Sequence, residues 1–125
     1  MKAISVKQPW AWAIAEGYKT IETRVWSTTH RGDLLIVASL KPDQLVLDAF
    51  TEEFGYAVLA RQLEYGKALC TARLIDCRPM TKADEEAARC DVYDGAFSWV
   101  LEDVRKIKPF PVKGRLGLYE VDYEA

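Results

Sequence analysis

Residues 5–24 read SVKQPWAWAIAEGYKTIETR, and a change of period inside this stretch limits what the chain can fold into. Pro9 suits the first turn of a helix, where its missing N–H removes nothing the helix needs. Trp10, Ala11, Ala13 and Ile14 supply an apolar side, and Gly17 is placed to end the helix. From Tyr18 to Trp26 the pattern switches to period two. Ile21, Thr23 and Val25 fall on one face, and Glu22, Arg24 and Trp26 on the other. A glycine-ended helix therefore feeds directly into a strand.

Outward from this junction the same reading finds more strands than helices. Upstream, residues 3–6 (AISV) form a short opening strand. Downstream, the turn His30-Arg31-Gly32-Asp33 leads into LLIVAS at 34–39, a continuous apolar run expected of a buried strand. Residues 42–65 are the most helical stretch, with Gly55 and Gly66 as breaks. Residues 68–77 alternate as a strand. Thr81 and Asp84 stand at capping-box spacing and open a short helix through Arg89. Phe97 to about Ile107 is a strand. The following KPFPVKGRLG (108–117) is expected as a loop, because Pro109 and Pro111 do not fit a central strand. LYEVDY closes the chain as a last strand. Strands not regularly separated by helices disfavour a doubly wound parallel sheet. The absence of a GxGxxG or GxxxxGK pattern argues against nucleotide-cofactor and P-loop chemistry.

The chain has 125 residues, 50% of them hydrophobic and 11% aromatic, which excludes intrinsic disorder and fits one domain. A net charge of −2 and a pI near 5.5 count against a domain built to grip a long polyanion. The charge is unevenly spread. Residues 1–41 hold six Lys/Arg against three acids, and 104–116 hold Arg105, Lys106, Lys108, Lys113 and Arg115 with no acid. The acids concentrate in 42–65 and 80–103. A fold that brings the two basic segments together creates a locally positive groove on an acidic protein. Three cysteines (Cys70, Cys77, Cys90) and one histidine (His30) do not make a metal-ligand pattern, so neither metal nor cofactor is expected. The opening residues lack the apolar run of a signal peptide, and no segment is as apolar as a membrane helix. A cytoplasmic protein with no membrane partner is expected.

Lys19, Glu22 and Arg24 are the candidate chemical centre. Glu22 can accept from either cation, which leaves the other to meet an anionic or carbonyl-bearing ligand. A partly desolvated Lys19 could lose its proton near neutral pH and act as a base. Trp10 and Trp12, two apart on a helix, cannot both face the core, so one should lie near a cleft. An exposed aromatic beside cations is what stacking on a base requires.

The stretch SVKQPWAWAIAEGYKTIETR, with the Arg-Gly turn and LLIVAS behind it, resembles the ASCH domain, a branch of the PUA-like superfamily. Gly17, Lys19, Glu22 and Arg24 match its GxKxxExR signature. The segment FSWVLEDVRKIKPFPVKGRLGLYEV is similar to the family's closing strands. The resemblance covers residues 3–40 and 67–122. It implies an α+β fold: a small mixed β-barrel of about five to six strands with flanking short helices, one domain over 1–125 with a helical insert at about 42–65. The family is regarded as RNA-binding or RNA-linked, and some members are parts of transcription coactivators. Certain short bacterial members are amidohydrolases that deacylate N-acetylcytidine with a Lys and a Thr of the signature segment and a distant Glu. Lys19 matches that Lys, and Glu22 stands where the Thr would be.

Three expectations follow. The first is a module binding single-stranded RNA or a nucleotide, with a cleft made by Lys7, Gln8, Trp10, Lys19, Glu22 and Arg24 and flanked by Lys108, Lys113 and Arg115. The second is an amidohydrolase with Lys19 as base, Glu22 orienting it and a hydroxyl from Thr20 or Thr23 attacking an acyl carbonyl. The third is a domain that binds a protein partner in a transcription- or RNA-linked complex.

Overall fold

The computed structural model describes residues 1–124. Its strands are β1 (Lys2–Val6), β2 (Ile21–Arg24), β3 (Gly32–Ala38), β4 (Lys67–Pro79), β5 (Phe97–Pro111) and β6 (Leu118–Glu120). They form one sheet in the order β2-β5-β4-β3-β1-β6. Only the β1–β3 pair among them is parallel. The sheet curls into a half-barrel, and the arrangement is α+β. The curl is visible in one bond: Arg24 on the edge strand β2 donates to the Ser5 carbonyl of β1, four strands away in the sheet order.

Helix α1 (Trp10–Ala15) lies between β1 and β2 and packs on β3, β4 and β5. One core combines Ile4, Val6, Ala11, Ile14, Leu34, Ile36, Cys70, Ala72, Leu74 and Trp99. The opposite face of β3 buries Leu35 and Val37 with Ala3, Ala68 and Tyr119. Both faces of β3 are therefore covered, which explains the unbroken apolar run of 34–38. In β4 the residues on the first core are Cys70, Ala72 and Leu74, while Arg73 and Ile75 are exposed.

The helical stretch divides at Gly55 into α2 (Gln44–Phe54) and α3 (Tyr56–Gln62). It packs Phe50 and Leu59 on Trp12 and Ala13 of α1. Thr81 and Asp84 do form a capping box, on a 3-10 turn at Lys82–Asp84 that runs into α4 (Glu85–Ala88).

The expected loop at 108–117 is corrected in its first part. β5 continues through Lys108, Pro109, Phe110 and Pro111, with Phe110 opposite Ala68 and Pro111 opposite Lys67. The reason is the shortness of β2, which pairs only with Phe97–Val100. Beyond that point β5 is a sheet edge, where a proline removes no ladder bond on the open side.

Candidate functional site

The site begins at the end of α1. Gly17 takes φ +85°, a left-handed conformation that glycine adopts at little cost. The amides of Tyr18 and Lys19 both donate to the Ala13 carbonyl. This tight exit turns the Lys19 side chain inward, where it is 1% exposed. Its Nζ donates to the Ala88 carbonyl at the end of α4, a helix end whose carbonyls have no donor within the helix. The same nitrogen lies 4.4 Å from the Trp10 ring centroid and 3.7 Å from Glu22 Oε1. Burial holds the Lys19 pKa below its ordinary value, against the opposing pull of the Glu22 carboxylate.

Glu22 is buried between two cations. Its Oε2 accepts from Arg24 Nη2 at 3.2 Å and its Oε1 from the Thr23 amide at 3.1 Å. Arg24 is the more accessible cation of the floor, with a quarter of its side chain exposed. Above these groups is a cleft of about 500 Å³. Lys7 and Trp10 form one wall, and Arg115, Leu116 and Gly117 of the late loop form another. The two basic segments therefore do meet, although they are almost a hundred residues apart in sequence.

Not every expected residue lies there. Gln8 is fully buried: its amide donates to the Glu64 carbonyl and its Oε1 accepts from the Trp12 amide. It ties α1 to the segment after α3 and does not line the cleft. Lys108 is exposed on the β5 edge and lines no part of it, and Lys113 lines a neighbouring groove. Thr20 is exposed, with its amide bonded to the Ala87 carbonyl, and Thr23 is the threonine that lines the cleft. Of the two helical tryptophans, Trp12 is buried, with its Nε1 on Gln62, and Trp10 is the cleft residue. One face of Trp10 is taken by Lys19, and the ring packs T-shaped against Phe50 with centroids 5.4 Å apart.

Several lining residues were not anticipated. Tyr93 donates its hydroxyl to Thr23 Oγ1 at 3.0 Å, bringing a half-exposed aromatic across from the late loop. The only sequence signal was an aromatic in the turn-like stretch DVYDG at 91–95. Cys90 lies 3.9 Å from the same Thr23 hydroxyl. Ser5, Ser39 and Asp43 complete the lining. Asp43 is the N-cap of α2 and places one acid of the 42–65 stretch at the cleft. Among the described residues, no three His, Cys, Asp or Glu side chains gather in a metal-holding group. No helix among them is long and apolar enough to cross a membrane.

A small half-barrel with a mixed-charge cleft at a helix–strand junction is the architecture these residues define. The ASCH domain family model matches residues 4–111, and the chain belongs to that family. It is 27% identical to human Activating signal cointegrator 1 and 26% identical to the mouse protein, over 95% of its own length. It spans only 22% of the length of these relatives. Among solved structures, the ASCH protein from Zymomonas mobilis superposes with a TM-score of 0.65 at 16% identity, covering 96% of this chain and 86% of that one. A single-substitution variant of it gives 0.63, at 16% identity over 96% and 87% of the two chains. These likenesses concern the fold.

Proposed function

We propose that the chain binds single-stranded RNA, or a nucleotide, in the cleft over Lys19, Glu22 and Arg24. The observation that carries this reading is the convergence of Lys7, Lys19, Arg24 and Arg115 on one cleft in a chain of net charge −2. The buried Glu22 carboxylate can accept from the amino or imino N–H of a base. Arg24 can donate to a carbonyl oxygen of the same base. Lys7 and Arg115, both exposed, are placed for phosphate oxygens. Tyr93 offers a stacking face. Membership of a family proposed to bind RNA supports the reading.

Filter binding with short single-stranded RNA tests it. Lys7→Ala and Arg115→Ala, which change exposed side chains and leave the core intact, should each weaken binding about threefold to tenfold at low salt. Unmeasurable binding, or affinity indifferent to both substitutions, would sink the proposal.

One observation favours a second reading, in which an N-acylated nucleoside is deacylated. Burial makes the Lys19 ammonium give up its proton more readily than that of an ordinary lysine, so Lys19 is a candidate general base, and the Thr23 hydroxyl lines the same cleft. Incubation with N-acetylcytidine should then release cytidine, and Lys19→Met should abolish the release. No release above background removes this reading and leaves the binding one standing. A protein partner, as the similarity to a signal cointegrator suggests, is compatible with either.

A further inference from the structure

The cleft continues, past Leu116, into a second groove of about 680 Å³. The two cavities share Ser5, Ser39, Arg115 and Leu116. Leu116 is 99% exposed and Leu40, across the groove, is 80% exposed. Two leucines held in water beside cations contribute nothing to the core. The groove floor is apolar, with Val112 and Gly66 beneath, and its lining holds Lys113 and Arg115 but no carboxylate. The wall is kept thin at Gly114, where an added Cβ would come within 2.9 Å of Ser5 Oγ. That hydroxyl is itself fixed by a 2.6 Å bond to the Tyr119 hydroxyl.

We propose that the cleft is the first of two base subsites, and that the ligand is single-stranded RNA of at least two nucleotides. This rests on the reading of the first cleft given above. The second base lies over Leu40 and Val112, Leu116 stands as a wedge between the two bases, and Arg115 meets the phosphate that joins them. Lys113 meets the next phosphate. The charge pattern selects this occupant: the second groove presents apolar surface for a base face and only positive charge for the backbone. A mononucleotide would leave Lys113 and the apolar surface of Leu40 and Val112 unused.

The test is a pair of nuclear magnetic resonance titrations of the isotopically labelled protein, with UMP against pUpU and AMP against pApA. The mononucleotides should move the Trp10 indole N–H and the Lys19–Arg24 amides and leave the Gly66 and Gly114 amides unmoved. The dinucleotides should also move the Gly66, Gly114 and Leu116 amides and bind at least about tenfold tighter, the scale of one stacked base. Lys113→Ala, at an exposed position that lines only the second groove, should weaken the dinucleotides by about threefold or more and leave the mononucleotides unchanged, and Leu116→Ala should weaken the dinucleotides more than the mononucleotides. If mononucleotides bind at the cleft but dinucleotides gain neither affinity nor shifts at Gly66 and Gly114, the second subsite is overturned and the first stands. If no probe moves the cleft residues, both fall. Shifts in the groove with none at Trp10 also overturn the two-subsite arrangement.

Discussion

Lys19 combines two properties that oppose each other. Its burial disfavours the ammonium form, while Glu22 and the Ala88 carbonyl favour it. The folded-state pKa is lowered, so the unfolded chain holds this proton more tightly in the window just below 10.5. In that window, stability from this group rises with pH as the buried charge is relieved. RNA binding that draws on the positive charge of the cleft floor changes in the opposite direction and weakens as the proton leaves. Glu22→Gln removes the carboxylate that supports the charge, so the Lys19 pKa falls further. The expected outcome is that RNA affinity begins to decline at a lower pH in Glu22→Gln than in the parent. Binding titrations over a pH series check this, and coincident pH profiles for the two proteins would contradict it. The pattern Lys-x-x-Glu-x-Arg was plain from the residues alone. That Lys19 would face inward on Ala88 was not, because the partner carbonyl is 69 residues away.

At the scale of elements, the turn that supplies Ala88 is itself held by Asp84. This buried carboxylate accepts from the Arg78 guanidinium at 2.8 Å, the Ser98 hydroxyl at 2.9 Å and the Thr81 amide at 3.1 Å. Burial pushes its pKa up, but these three donors outweigh it and hold the carboxyl below its ordinary value. The stability it contributes is therefore present above pH 3.8 and is lost as pH falls through its lower folded-state pKa. Asp84→Asn should destabilise the fold by about 2–3 kcal/mol at neutral pH, the scale of a hydrogen-bonded buried charge, and should flatten the acid limb of the stability profile. Urea unfolding at neutral and acid pH measures both effects; an unchanged acid limb would deny Asp84 this role. The capping box was legible because its residues are three apart in sequence. The continuation of β5 through Pro109 and Pro111 was not, because the proline rule depends on whether a neighbouring strand is present. β2 ends too early to supply one. Gln8 was misplaced for a related reason: a polar residue next to a cleft helix looks exposed until the Glu64 carbonyl arrives from beyond α3.

At the scale of the whole molecule, the acidic total and the basic cleft coexist because the curled sheet separates them. Much of the acid lies on α2, on α4 and in the following loop, and part of it is paired, as where both Glu53 carboxylate oxygens accept from Arg89 Nη2. The cleft takes only Glu22 and Asp43 from the acids. Two or three phosphates in contact with Lys7, Arg115 and Lys113 predict a shallow salt dependence, with a slope of log K against log salt of roughly −1.4 to −2.1 for a single strand. Arg115→Ala should reduce that slope by about 0.7. A steep slope, or one that Arg115→Ala leaves untouched, would mean a larger or different basic surface. Helix ends, strand periods and the signature triad are properties of residues close together in the chain, so periodicity and capping chemistry are enough to read them. Which side chains share a cleft depends on the curl that carries Arg24 to Ser5 and the late loop to Lys7. That curl arises from long-range burial around Trp99 and β3, which no local pattern encodes. Cleft membership therefore came only with the packed core: Tyr93 and Leu116 inside, Gln8 and Thr20 out.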